Sequence, residues 1–321
     1  VEVTIPPVLT QPGGAGSTEA GGLWLARVPE LVERAVQRWQ LRLGEPFGVG
    51  TASWTAPGTT PDGTPVVLKI SFPHDEARYE AIALAMWHGS AAVELLAHEA
   101  EDWALLLRRA HPGTPLLATP GTPEQHLEAC LGVLANLHQA PIANVGVPIL
   151  REVAQRWSSI AADRAVRWAA LLADRESVVD RGISQLQAFA ADDSAPTRLL
   201  HGDLNPGNLI LDNPGTAHWL AIDPKPMLGD PSYELWPVLS QIDDPFAYPD
   251  PRAVLLPRLL HASATLALPP RRVAQWALAR TVESVLWQLD TWPTPDRQAT
   301  ALAWLDEARV WAELVDTLPT M

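Results

Sequence analysis

Apolar residues along this chain change period twice, and those changes divide it. Leu31, Ala35 and Trp39 fall on one helical face that ends near Gly44. The period then shortens. Phe47 to Trp54 and Val66-Val67-Leu68-Lys69-Ile70 read as strands on either side of the turn Pro61-Asp62-Gly63. Tyr79, Ile82, Met86 and Trp87 return to helical spacing between a candidate cap at Asp75 and a stop at Gly89. Val93 to Leu96 and Ala104 to Leu107 read as two further strands.

Beyond a Pro- and Gly-rich connector, Arg108 to Pro120, the pattern is mostly helical. Leu127, Leu131, Leu134 and Leu137 share a face, and one or two helices are expected between Ala154 and Ala191. Two short apolar runs, Leu209-Ile210-Leu211 and Trp219-Leu220-Ala221-Ile222, flank Asn213-Pro214-Gly215 as a hairpin. From Ser232 onward the chain is again helical. The fold class is therefore α+β: a small antiparallel sheet with one helix over 23–107, then a larger helical part over 112–321. Residues 1–22, with paired prolines and glycines, read as an extended or mobile leader.

Composition narrows the classes of partner. A net charge of -14 over 321 residues argues against nucleic acid. Cys130 is the sole cysteine, so no internal disulfide and no zinc-ligand spacing exist, which fits a cytoplasmic location. No secretory signal and no membrane span are expected, because charge or proline breaks every apolar run. The sequence leaves the oligomeric state open.

The candidate chemistry is concentrated in Leu200-His201-Gly202-Asp203-Leu204-Asn205-Pro206-Gly207-Asn208 and in Ala221-Ile222-Asp223-Pro224. Asp203 follows an apolar run at a tight turn, where a carboxylate can face a cleft and accept a hydroxyl proton. Asn208 and Asp223 offer the oxygen ligands that Mg2+ requires. Together these residues suit phosphoryl transfer from a nucleotide to an alcohol. His201 is expected to brace the loop backbone through its ring nitrogens. Lys69 on an apolar strand needs an anion, which a phosphate would supply, with Glu80 preferred over Glu76 as its support. Gly48 and Gly50, with Thr51 and Ser53, offer backbone N–H groups to phosphates. Arg108 to Ala110 offer backbone groups to an adenine edge.

The run His201 to Asn208 resembles the signature of the aminoglycoside phosphotransferase-like kinases. Ile222-Asp223-Pro224-Lys225-Pro226 and Gly229-Asp230-Pro231 resemble the streptomycin 6-kinase and hydroxyurea phosphotransferase branch. The resemblance runs from about Phe47 to Leu239. It implies a protein-kinase-like two-lobe fold with residues 108–111 as hinge, and ATP with Mg2+ as cofactors. It implies Asp203 as base, Asn208 and Asp223 as metal ligands, and Lys69 with Glu80 as the phosphate-holding pair. Gly202 replaces the arginine of many protein kinases and no Ala-Pro-Glu segment follows, so phosphorylation gating is not expected. Lys225 reads equally as a phosphate contact and as a solvated lysine.

The implied activity is transfer of the γ-phosphoryl group to a hydroxyl of an aminoglycoside or aminocyclitol such as streptomycin. A metabolic amino sugar or other polyol, and a nucleotide-binding protein without turnover, are the alternatives. A cationic acceptor would be met by acidic side chains, for which Asp230, Glu234 and Glu283 are the candidates, with Asp243 and Asp244. Trp236, Trp287 and Trp292 are candidates to stack on a sugar ring. ATP or GTP preference, and any role in resistance, stay open.

Overall fold

The computed structural model describes residues 3–142, 145–291 and 294–319, so Trp292 lies outside the described residues. The chain forms two compact units, Val1–Pro115 with Leu209–Lys225, and Leu116–Asn208 with Pro226–Met321. The first unit opens with α1 (Glu19–Trp39), β1 (Arg42–Leu43), β2 (Ser53–Thr59), β3 (Pro65–Ser71), α2 (Glu80–Trp87), β4 (Leu95–Glu99), β5 (Ala104–Arg108) and β6 (Thr114–Pro115). The second unit follows with α3 (Pro123–Leu137), α4 (Leu150–Arg167), α5 (Ala169–Leu172), α6 (Glu176–Ala191) and β7 (Arg198–Leu200). The hairpin of β8 (Leu209–Asn213) and β9 (His218–Ala221) belongs to the first unit. The second unit then closes with β10 (Met227–Gly229), α7 (Leu235–Gln241), α8 (Pro251–Thr265), α9 (Pro270–Thr291) and α10 (Pro295–Thr317).

The first unit is built on a five-stranded antiparallel sheet in the order β1-β2-β3-β5-β4. Its central strand, β3, alternates. Val66, Leu68 and Ile70 are fully buried against Trp24, Val28, Leu31 and Ala35 of α1, so Lys69 emerges on the opposite face. Burial of each of those three side chains contributes roughly 1.5–3 kcal/mol. Slipping β3 by one residue would exchange the faces and bury the ammonium in the α1 core.

In the second unit α9 is the central helix, packed by α4, α6, α7, α8 and α10. Its buried residues, including Val273, Trp276, Ala277, Val282, Val285 and Leu286, occupy more than one face. That is the pattern of a helix surrounded by others. A two-stranded antiparallel pair, β7 with β10, brings the end of β7 beside the segment that leads into α7. Among the described residues no helix is long and apolar enough to cross a membrane.

Several boundaries differ from those expected, and the strand anticipated over Phe47 to Trp54 begins only at Ser53, the first residue of β2. Within the segment anticipated as a mobile leader, the described residues, 3–22, are folded. Leu9 is buried, the Trp54 indole donates to the Thr4 carbonyl at 2.9 Å, and Ala15 N donates to the Thr51 carbonyl at 2.7 Å. Thr18 caps α1 by accepting from Gly21 N at 3.1 Å, so the helix begins inside that segment and adds a second helix to the unit. Residues 108–111 do not mark the edge of the first unit. Arg108 ends β5, while His111 N donates to Asp212 Oδ1 and Gly113 N to the Leu211 carbonyl. Finally, the hairpin expected in the helical part joins the first unit, because β8 pairs with β6 and Ala221 exchanges backbone bonds with Ala91 and Val93. Local spacing carries no information about which sheet edge a hairpin will choose.

Candidate functional site

Lys69 sits at mid-strand in β3, opposite Thr55 of β2 and Leu105 of β5. Its ammonium donates to both oxygens of Glu80, at 2.7 and 2.8 Å, and to Asp223 Oδ1 at 2.8 Å. Lys69 is 5% exposed and Glu80 3%, whereas the Asp223 side chain is about half exposed. Burial opposes the lysine charge, but the Asp223 and Glu80 carboxylates outweigh it and hold the ammonium above its ordinary pKa. Burial pushes the Glu80 carboxyl up, against the pull of Lys69.

Glu80 opens α2, and a 3-10 turn, Ala77–Tyr79, separates it from Glu76. The two glutamates therefore do not share the regular helix expected of them. Glu76 instead meets Lys225 at 3.1 Å, an exposed pair that gives Lys225 a carboxylate neighbour. Asp223 adopts a left-handed backbone, φ +57°, uncommon for a residue with a side chain.

In the second unit, the chain leaves β7 at Leu200 and turns through a loop bonded to itself. His201 is fully buried, and its Nδ1 accepts from Asp203 N at 3.3 Å. Gly202 has φ +82°, a conformation that glycine tolerates. The Asp203 carbonyl accepts from Asn208 Nδ2 at 2.9 Å and from Asn205 Nδ2 at 3.2 Å. Asn205 Oδ1 accepts from Gly207 N at 2.9 Å. Asp203 and Asn208 are thus brought together, with the Asn208 amide nitrogen committed to the loop and its oxygen the donor atom suited to a hard cation. Among the described residues no group of three or more His, Cys, Asp or Glu is placed to hold a metal. Asn208 in the second unit and Asp223 in the first each carry an oxygen of the kind a hard cation accepts.

Glu234, a candidate to meet an acceptor, also braces this loop from beneath. It is 1% exposed; one carboxylate oxygen accepts from Gly202 N at 2.8 Å and the other lies 2.7 Å from His138 Nε2. Asp230 is also internal. It caps Ser232 N at 2.9 Å, accepts from the Trp276 indole at 2.6 Å and pairs with Arg272. Both carboxylates already hold N–H donors, and Glu234 in addition lines the recess beside Asp203. Glu283 is buried on α9 and meets Arg280 at 3.4 Å. Trp287, one turn further along, is 41% exposed.

The glycine loop contains Gly48 and Gly50, the latter at φ +89°, and leads into Ser53, the first residue of β2. Arg108 pairs with Glu94, and its backbone N–H donates to the Glu94 carbonyl at 2.9 Å, so that N–H belongs to the sheet edge. Ala110 is buried two residues beyond β5. Sequence reasoning missed His138, Tyr233 and Arg280. Tyr233 donates to the Gly202 carbonyl at 3.4 Å, and Arg280 borders a recess beside Asp203. Local spacing marks His138 only as the residue that follows α3 and Arg280 only as a residue of α9.

A sheet unit carrying a lysine–glutamate pair and a helical unit carrying the Asp203 loop define a kinase of the protein-kinase-like class. The same fold is found in a thermostable mutant of aminoglycoside phosphotransferase APH(4)-Ia, solved as a ternary complex with AMP-PNP and hygromycin B. The TM-score is 0.61 at 18% identity, covering 87% of this chain and 98% of that one. Residues 38–291 match the aminoglycoside/hydroxyurea antibiotic resistance kinase family, and the chain belongs to that family. It is 32% identical to a streptomycin 6-kinase of Streptomyces glaucescens over 298 residues, covering 90% of this chain and 92% of that protein. A hydroxyurea phosphotransferase of Kitasatospora aureofaciens is 31% identical over 281 residues, covering 87% of this chain and 77% of its own length.

Proposed function

We propose that this protein transfers the γ-phosphoryl group of ATP, with Mg2+, to a hydroxyl of an aminoglycoside or aminocyclitol such as streptomycin. The observation that carries the reading is the buried Lys69–Glu80 pair tied to Asp223, in a chain that also holds Asp203 and Asn208 on one braced loop. Similarity to a streptomycin 6-kinase over most of both chains supports the acceptor class.

Asp203 is the base. Its carboxylate takes the proton of the acceptor hydroxyl as that oxygen forms a bond to the γ-phosphorus and the bond to the bridging oxygen of ADP breaks. The transition state is loose and its charge lies on the phosphoryl oxygens, so placement and electrostatics matter more than proton transfer. Lys69, oriented by Glu80, supplies positive charge to the nucleotide phosphates. Asn208 and Asp223 are the residues that would hold Mg2+, which supplies charge neutralisation when bound. Backbone groups of Gly48, Gly50 and Ser53 would lie over the phosphates, and the segment from Arg108 to Ala110 would meet the base of the nucleotide.

The test is ATP consumption by the purified chain with a panel of hydroxylated acceptors, with mass detection of a phosphate adduct. Streptomycin turned over to a mono-phosphorylated product is the expected result. Nucleotide binding with no turnover of any acceptor would leave a regulatory protein instead.

A further inference from the structure

In the second unit, Asp203 borders a recess whose other walls include Tyr233, Trp236, Gln241 and Arg280. Glu234 also lines the recess but spends its two oxygens on Gly202 N and His138, Glu283 is paired with Arg280, and the cation held here is the protein's own. The Arg280 guanidinium carbon lies 4.5 Å from the ring centre of Trp157, 5.0 Å from that of Tyr233 and 5.3 Å from that of Trp236. Three aromatic faces around one cation is the arrangement by which proteins bind ammonium and guanidinium ligands. Here a side chain from α9 fills it.

A ligand cation entering beside Asp203 would meet Arg280 where the aromatic faces would otherwise attract it. The Asp203 and Glu234 carboxylates draw a cation toward the recess, but the position bounded by the aromatic faces already holds the Arg280 charge, and the low exposure of that side chain, 18%, limits screening by water there. A planar guanidinium instead suits oxygen acceptors, such as ring hydroxyls or a carbonyl. An anionic ligand would gain at Arg280 but meet the Asp203 carboxylate.

We propose that Arg280 determines acceptor specificity: it receives the uncharged, oxygen-rich part of the acceptor next to Asp203 and keeps amino and guanidino groups out of that position. The inference rests on the phosphotransferase reading for its biological meaning, although its physical content is a binding preference. An acceptor of the streptomycin type would direct its guanidino groups away from the recess and present hydroxyls to it.

A matched pair of rings tests this: scyllo-inositol, and streptamine, the same ring with two hydroxyls replaced by amines. Titration calorimetry is run with the parent chain, Arg280→Met and Arg280→Lys, and ATP turnover is measured alongside. The parent should bind scyllo-inositol more tightly. Arg280→Met removes the charge from the aromatic cage and leaves a flexible neutral side chain that can yield to a ligand, so the ratio of the two dissociation constants should move toward streptamine by about tenfold, with streptamine itself bound more tightly. A gain of binding cannot come from misfolding. Arg280→Lys keeps the charge and should continue to exclude streptamine, while losing affinity for scyllo-inositol because the planar fork is gone. The proposal is overturned if the parent prefers streptamine, if it binds neither ring, or if Arg280→Met leaves the ratio unchanged. Should the binding preference shift as expected while no acceptor is phosphorylated, the kinase reading fails and the role of Arg280 stands.

Discussion

Lys69 Nζ lies 2.8 Å from Asp223 Oδ1, across 154 positions of sequence. The contact exists because β9 reaches the backbone of Ala91 and Val93, which carries the residue after Ile222 back to the sheet unit. Asp223 is thereby tied to the lysine that Glu80 already holds.

Removing the carboxylate should separate metal-dependent binding from the fold. Asp223→Ala is expected to weaken ATP binding about tenfold or more in the presence of Mg2+, with little change in its absence. Nucleotide titration with and without the metal checks this, and equal weakening in both conditions would remove Asp223 from the metal set. Lys69 should remain folded in place, since Glu80 still pairs with it.

Asp203→Asn should lower kcat by roughly 10²- to 10⁴-fold, the range general-base removal usually produces. Nucleotide affinity should stay within about twofold, because Asp203 is assigned to the acceptor hydroxyl. Single-turnover kinetics read the first quantity and equilibrium titration the second. A variant that turns over at the parent rate would reassign the base.

Glu234→Ala should destabilise the second unit. The substitution strips an acceptor from Gly202 N and leaves His138 without its carboxylate, both in the interior. Breaking such a buried pair typically costs about 3–5 kcal/mol. Urea unfolding should show the midpoint fall, and a loss under about 1 kcal/mol would mean that the loop finds other donors and acceptors.

The pH dependence of stability should carry a signature from Glu307. Burial, with the nearby Asp244 charge adding to it, raises its carboxyl from 4.5 to about 7. Between those values the folded chain keeps a proton that the unfolded chain has released, so this group makes stability fall as pH rises through the window. Glu307→Gln should flatten that slope, measured as Tm against pH. Parallel curves for parent and variant would show that Glu307 titrates normally.

Much of the working apparatus is visible in the order of residues. The apolar run Val66 to Ile70 predicts a strand that carries Lys69, and the five-residue spacing of Asp203 and Asn208 puts both on one turn. These are short-range consequences of strand pleat and turn chemistry, which act within a few residues. Asp230 and Glu234 were not legible in this way. As letters they are acids near a motif; as buried groups they already receive N–H donors from Gly202, Ser232, Trp276 and Arg272.

The sequence by itself therefore determined the period of the longer elements, the loop bearing Asp203 and the resemblance to the kinase family, since all three are written in neighbouring residues. Tertiary structure decided which unit holds Asp223, which acids become scaffold, and that Arg280 sits inside Trp157, Tyr233 and Trp236. Those outcomes depend on packing between distant elements, where burial sets the free energy of a charge and no local pattern encodes the partner.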